Sequence, residues 1–95
     1  MTYTELLALA QTAKDQDKTL ITITGKPFKV GIYRDVPFFI PQSTRQGRSD
    51  GRKAAERFLE RYNVTLSMKS ADYQDVTRNA SYFLALLFQS PTQGD

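Results

Sequence analysis

The segment from residue 19 to residue 41 constrains the fold most, because short alternating runs of apolar and polar residues are separated by turn-forming residues. β-Branched and aromatic residues dominate these runs, as is typical of strands. Strands this close in sequence pair in antiparallel fashion, since a parallel pair needs a crossover of about a dozen residues or more. We therefore expect a small antiparallel sheet of three strands.

The first two strands are expected to form a hairpin. The first, residues 19–24, directs Ile21 and Ile23 toward the core. Gly25-Lys26 then supplies the turn, because glycine tolerates positive φ at the first central position. The second strand opens at Pro27. Its expected core residues are Phe28, Val30 and Ile32, and its expected outward residues are Lys29, Gly31 and Tyr33.

The third strand is expected at an edge of the sheet. Arg34-Asp35 forms the second turn, and residues 36–40 form the strand. Proline cannot donate a hydrogen bond to a neighbouring strand, so Pro37 and Pro41 favour an edge position. The chain from residue 41 to residue 51 contains nothing that could build a core, and it exceeds the usual connection of about 4–6 residues. Connections of this length are usually either functional or simply mobile.

Two helices are indicated on either side of this sheet segment. In the first, Thr2 and Glu5 form a capping box ahead of an apolar stripe. The second covers residues 52–62, with Ser49 or Asp50 as its N-cap and Asn63 directly after its end. Its apolar residues lie on one face and its charged residues on the other, which is typical of a helix packed on a core.

A third helix is expected to begin at Ser70 and to continue without a break to Ser90-Pro91. Its apolar stripe consists of Tyr73, Val76, Ala80, Phe83, Leu84 and Leu87. Residues 91–95 are expected to form a flexible C-terminal tail. The order α-β-β-β-α-α predicts one α+β domain over residues 1–90, with a three-stranded antiparallel sheet packed by helices.

The residues available for chemistry are few. The chain has no cysteine and no histidine, which excludes disulfides, thiol nucleophiles, and zinc sites or catalytic triads built on these side chains. Three residues lie between Gly47 and Gly51, and Arg-Lys follows, whereas a P-loop has four intervening residues and then Lys-Ser/Thr. We therefore expect no enzyme activity, no cofactor and no metal site.

The sequence also bears on location. Its apolar runs are far shorter than the roughly 20 residues of a membrane span. The residues after Met1 lack the basic and apolar pattern of a signal peptide. We expect a soluble, cytoplasmic protein that does not contact a membrane.

Basic residues are concentrated in the middle of the chain, although the net charge is only +3. Residues 26–61 contain nine basic and four acidic residues, a balance of +5, and the rest of the chain has a balance of −2. Such a segment is typical of an anion-binding surface, and the alternative is a solvated face. The residues predicted to contact nucleic acid are Lys26, Lys29, Tyr33, Arg34, Arg45, Arg48, Arg52, Lys53 and Arg57.

The first functional hypothesis is a nucleic-acid-binding domain, with duplex DNA favoured over RNA. Residues 43–51, which we call the basic loop, lead into a helix N-terminus, where free N–H groups and the helix dipole attract anions. Arginine suits phosphate because its planar fork bonds two oxygens. On the hairpin, an outward Tyr33 can stack on a base. The alternative is that Tyr33 packs against Phe39 or Pro41 across the strands.

The second hypothesis is a protein-binding module, such as an inhibitor or an accessory subunit. The hydrophobic edge at Phe38, Phe39 and Ile40 could pair with a strand of a partner or of a second copy. Arginine and aromatic side chains are also common in protein interfaces. Nuclease treatment of a pulldown would separate this hypothesis from the first.

Overall fold

A computed structural model describes residues 1–88 of the chain. Its elements are α1 (Tyr3–Asp15), β1 (Leu20–Ile21), β2 (Pro27–Tyr33), β3 (Val36–Pro41), α2 (Arg52–Thr65), a 3-10 turn (Ser70–Tyr73) and α3 (Ala80–Phe88). The strands form an antiparallel sheet in the order β1-β2-β3. The predicted α+β class and the order α-β-β-β-α-α are confirmed. The predicted helix stop at Ser90-Pro91 and the tail at 91–95 lie outside the described residues.

The N-terminal end of α1 is the predicted capping box. The hydroxyl of Thr2 accepts a hydrogen bond from the N–H of Glu5 at 3.1 Å, and the carboxylate of Glu5 accepts one from the N–H of Thr2 at 2.8 Å. These bonds satisfy two N–H groups that an α-helix leaves without internal partners. They also lower the pKa of Glu5, because they stabilise its charged form.

The first strand faces the opposite way from the prediction. Leu20 is 1% exposed, whereas Ile21 is 39% and Ile23 is 79% exposed. The register explains this, since Leu20 lies opposite Phe28 and cross-strand partners share a face of the sheet. The expectation that Ile21 and Ile23 form the core side is therefore wrong.

The turn between β1 and β2 also differs from the prediction. It spans residues 22–25 rather than centring on Gly25-Lys26, and the N–H of Gly25 bonds to the carbonyl of Thr22 at 2.8 Å. The hydroxyl of Thr22 accepts the N–H of Lys26 at 3.0 Å. Because this hydroxyl has a partner inside the turn, Thr22 is buried in a place where the alternation predicted an outward residue.

The turn between β2 and β3 is the predicted Arg34-Asp35. Both residues have positive φ, 52° and 63°, as in a type I′ hairpin turn. The two-residue loop fixes the register, which pairs Tyr33 with Val36 and Gly31 with Phe38. β3 lies at the edge of the sheet, as Pro37 and Pro41 predict.

The core lies between the inner face of the sheet and the helices. Phe39 is completely buried, and its ring contacts the rings of Phe28, Tyr82 and Phe83, with centroid separations of 5.8, 5.5 and 4.9 Å. Phe83 in turn stacks on Phe58 of α2 at 4.9 Å. One aromatic cluster therefore joins β2, β3, α2 and α3.

The start of α2 corrects the predicted cap. The N-cap is Gly51, with φ of 89° and no side-chain hydrogen bond to the helix, rather than Ser49 or Asp50. The carboxylate of Asp50 instead accepts the hydroxyl of Thr77 at 2.6 Å and the N–H of Arg78 at 3.0 Å. Asp50 therefore anchors a segment that lies 27 residues further along the chain.

The C-terminal end of α2 lies three residues beyond the predicted one. The helix continues to Thr65, and Leu66 ends it in the left-handed conformation with φ of 54°. Asn63, the predicted residue after the helix, is inside it and exchanges hydrogen bonds with Met1 at 2.9 and 2.8 Å. This pair fastens the start of the chain to α2.

The third helix is interrupted, whereas the apolar stripe predicts a continuous one. Helical structure stops after Tyr73 and resumes at Ala80. In between, the hydroxyl of Thr77 donates to Asp50 and accepts the N–H of Asn79 at 3.0 Å. Side-chain bonds of this kind compete with the helical backbone pattern. Within residues 1–88, no helix is long and apolar enough to cross a membrane.

An ion pair holds the interrupted segment against α2. The guanidinium of Arg61 bonds both carboxylate oxygens of Asp75, at 2.9 and 2.7 Å, and the carbonyl of Asp72 at 2.8 Å. The hydrogen bonds from Arg61 lower the pKa of Asp75, and the same bonds raise the pKa of Arg61. The geometry is the bidentate one that makes arginine–carboxylate pairs specific.

We expect Asp75→Asn to reduce stability at neutral pH and to have less effect in acid. A carboxyl whose folded-state pKa is lowered stabilises the fold above its unfolded pKa, and this contribution is lost as the pH falls through the folded value. The ordinary value for Asp75 is 3.8, so the loss occurs below that pH. Urea denaturation of the unmodified protein and of Asp75→Asn, at about pH 6 and about pH 3, measures the difference in stability at each pH. A difference independent of pH would contradict a stabilising pair.

Candidate nucleic-acid interface

An open groove of about 630 Å³ lies between the tip of the β2–β3 hairpin and the basic loop. The lining residues are Tyr33, Arg34, Val36, Phe38, Gly47, Ser49 and Gly51. The volume lies within the range of about 300–1,000 Å³ that is common for small-ligand sites. Two segments that the sequence presents as separate contact surfaces therefore share one groove.

The outer face of the sheet forms one wall of the groove. Tyr33 and Val36 are cross-strand partners on this face, and Tyr33 is 64% exposed. Phe39 and Pro41, in contrast, are buried on the inner face. The alternative in which Tyr33 packs against Phe39 or Pro41 is therefore wrong, because those residues point to the other side of the sheet.

Phe38 forms the floor next to this wall. It lies opposite Gly31, and a Cβ atom added at Gly31 would overlap its ring. A Cβ atom at Gly47 would lie 3.1 Å from the same ring. Gly31 faces outward as predicted, but the Phe38 ring covers it and its backbone is not open to a ligand. The ring is held between two glycines of different segments.

We expect Gly31→Ala to lower the free energy of unfolding by about 1–3 kcal/mol, because the Phe38 ring must move to admit the methyl group. The control is the same substitution in a Phe38→Ala background. There the overlap is absent, and alanine should be neutral or slightly stabilising. Chemical denaturation of the four proteins measures the coupling. An equal cost in both backgrounds would mean that the ring does not pack on Gly31.

The basic loop is attached to the edge of the sheet. Arg48 and Phe39 exchange backbone hydrogen bonds at 2.7 and 3.0 Å, and the N–H of Arg45 bonds to the carbonyl of Pro41 at 2.7 Å. The guanidinium of Arg48 lies 5.8 Å from the ring centroid of Tyr82, a core residue. Its side chain is therefore directed toward α3, while its neighbours Gly47 and Ser49 line the groove.

Tyr3 connects the hairpin tip with the start of α2. Its hydroxyl donates to the carbonyl of Asp35 at 2.6 Å, and the guanidinium of Arg52 lies 4.5 Å from its ring centroid. Burial raises the pKa of Tyr3, an effect that the charge of Arg52 opposes. The hydroxyl therefore remains a hydrogen-bond donor at neutral pH. The sequence gives no signal for this role, because Tyr3 is far from both partners along the chain.

The N-terminus of α2 opens beside the groove, since its N-cap Gly51 is a lining residue. The helix begins with Arg52 and Lys53, and no acidic residue occupies its first turn. Two cations at the positive end of the helix dipole are unfavourable unless an anion compensates them. Arg52 is partly compensated by Glu56, at 3.1 Å from its Nε, and Lys53 is exposed.

Five of the predicted contact residues lie away from the groove lining. The side chain of Arg48 is directed toward α3, and Arg45 is bonded to Pro41 at the end of β3 that is remote from the hairpin tip. Lys26 precedes β2 and Tyr33 ends it, so about 23 Å of strand separates them. The ammonium group of Lys29 pairs with Asp17 at 3.0 Å. Arg57 lines a different hollow of α2, together with Arg61. The structure therefore brings together Tyr33, Arg34 and the start of α2, and it separates the other five predicted contact residues from them.

The outer edge of β3 bears on the protein-binding hypothesis. Because strand residues alternate, the backbone groups of Pro37, Phe39 and Pro41 point away from β2. The prolines have no N–H, and the N–H of Phe39 bonds to the carbonyl of Arg48. Within residues 1–88, β3 therefore offers no free outward N–H. A partner strand could pair here only if Arg48 detached.

Comparison with models of protein families, with curated proteins and with solved structures found no match to this chain. Within the described residues 1–88, no group of three or more carboxylate side chains could hold a metal ion.

Proposed function

We propose that this protein is a nucleic-acid-binding domain and that the groove, with the start of α2, is its binding surface. The observation that carries the proposal is the uncapped N-terminus of α2, which opens on the groove with Arg52 and Lys53 in its first turn. Free N–H groups, the helix dipole and two cations act there in the same direction. A phosphate is the anion that this combination fits best.

The surroundings of this helix end favour the binding of a chain of phosphates rather than of a single phosphate. Arg34 lines the opposite wall of the groove and adds a third cation to Arg52 and Lys53. Of the acidic residues nearby, Glu56 pairs with Arg52 and Asp50 accepts hydrogen bonds from Thr77 and Arg78, whereas Asp35 is exposed at the hairpin tip. Cations spaced along a surface are typical of contacts to a nucleic-acid backbone.

Salt dependence of binding tests the proposal. Fluorescence anisotropy with labelled DNA, duplex and single-stranded, gives the affinity between about 50 and about 200 mM salt. We expect the affinity to fall steeply with salt. The double variant Arg52→Ala/Lys53→Ala should reduce the slope of log K against log salt by about 1.8 on duplex DNA, at about 0.9 per phosphate contact.

The matched control is Lys14→Ala/Lys69→Ala, which removes the same charge from two exposed positions outside the groove lining. It should leave the slope nearly unchanged. The Arg52→Ala/Lys53→Ala protein should still fold, because the contacts that it loses, those of Arg52 with Glu56 and with the Tyr3 ring, lie at the surface and are worth about 1 kcal/mol or less each. No binding by the unmodified protein at low salt would refute the proposal. An equal change of slope in both double variants would place the contacts elsewhere.

A further inference from the structure

The wall and floor of the groove include two aromatic side chains. Tyr33 is 64% exposed on the wall, and Phe38 is fixed between Gly31 and Gly47 on the floor. The other side is formed by Gly47, Ser49 and Gly51, which are small and leave space in front of the rings. The groove can therefore receive a flat, apolar group edgewise or by stacking.

The positive charges around the groove indicate that the flat group should carry anionic groups on both sides. The guanidinium of Arg34 lies 5.3 Å from the Tyr33 ring centroid, and the start of α2 lies across the groove. No carboxylate is among the lining residues. An occupant that is flat in the middle and anionic on both sides matches this arrangement.

We infer that the groove binds an unpaired base of a single-stranded nucleic acid. This inference rests on the proposed function and narrows it to one class of ligand. In a duplex the faces of the bases are stacked on one another and cannot reach Tyr33 or Phe38. In a single strand a base stacks on Tyr33, and its flanking phosphates lie at Arg34 and at the N-terminus of α2. Contacts of this kind depend little on sequence, because every base has a π-face.

The test measures the affinity of the full chain for a labelled oligothymidylate, for the corresponding duplex and for inorganic polyphosphate, which is a polyanion without bases. The single strand should bind most tightly. Tyr33→Ala should weaken its binding by about 5- to 100-fold, the range that removal of one stacking partner gives. The same variant should leave the binding of polyphosphate unchanged.

Two further variants keep the test specific. Tyr33→Phe retains the ring and should bind nearly as the unmodified protein does. Ile23→Ala removes another exposed apolar side chain, 79% exposed at the β1–β2 turn, and should have no effect. Both changes are at exposed positions, so circular dichroism should show folded proteins.

The outcomes separate the inference from the proposed function. If the duplex binds as tightly as the single strand and Tyr33→Ala changes nothing, the inference is overturned. The proposed function then still stands, provided that Arg52→Ala/Lys53→Ala reduces the salt slope. If neither nucleic acid binds at low salt, both are overturned. Equal loss on polyphosphate and on the single strand would show that Tyr33 does not contact a base, which also overturns the inference.

Discussion

Replacing Phe39 by alanine is expected to lower the free energy of unfolding by about 3–5 kcal/mol, the usual cost of removing a buried phenylalanine ring. Phe39 is fully buried and contacts the rings of Phe28, Tyr82 and Phe83, so the loss leaves a cavity between the sheet and α3. Domains of this size are stable by only about 5–15 kcal/mol, so the variant should lose a large fraction of its stability.

Urea denaturation followed by circular dichroism measures this effect. Phe38→Ala is the matched control, because it removes the same ring from the adjacent, half-buried position on the outer face. We expect a smaller loss there. Phe39→Leu should retain much of the stability, since it keeps most of the buried volume. If Phe38→Ala cost as much as Phe39→Ala, the assignment of the inner and outer faces of β3 would be wrong.

The second large effect is expected for Asp50→Ala, which should cost about 1.5–3 kcal/mol, as the loss of hydrogen bonds to a charged group does. The carboxylate accepts the hydroxyl of Thr77 and the N–H of Arg78. Thr77 is buried, so its hydroxyl would be left without this acceptor in a place that water does not readily reach. The segment before α3 would then be held less firmly.

A double-mutant cycle isolates this interaction. Thr77→Val removes the hydroxyl that needs the acceptor, so Asp50→Ala should cost less in that background than alone. Asp50→Asn keeps an acceptor at the same place without the charge and should have an intermediate effect. Strictly additive losses would show that the hydrogen bond between Asp50 and Thr77 contributes nothing to stability.

The sequence was sufficient to predict elements that depend on residues close together in the chain. The capping box of Thr2 and Glu5 depends on four consecutive residues and is present as predicted. The prediction of a two-residue turn at Arg34-Asp35 is also confirmed. Because this loop length fixes the register of β2 and β3, it implies that Gly31 lies opposite Phe38. That pairing forms the floor of the groove, so this part of the site was within reach of sequence reasoning.

Elements that depend on distant partners could not be predicted. The predicted inner face of β1 was wrong, because alternation alone does not tell which of the two alternating sets of side chains is buried. The set that contains Thr22 is buried, and the hydroxyl of Thr22 has its hydrogen-bond partner within the turn. The break before α3 depends on Asp50, which is 27 residues away from Thr77. The position of Tyr3 between Asp35 and Arg52 likewise exists only in the folded chain.

The turn at Arg34-Asp35 places two competing demands on the same residues. Both adopt positive φ, which costs non-glycine residues roughly 1–2 kcal/mol each. Asn-Gly would suit a type I′ turn better, and an engineer seeking a more heat-resistant version of the protein would choose it. That exchange would also remove the guanidinium from the wall of the groove. Under the proposed function, thermal resistance and ligand affinity therefore conflict at this hairpin, and selection for one alone would reduce the other.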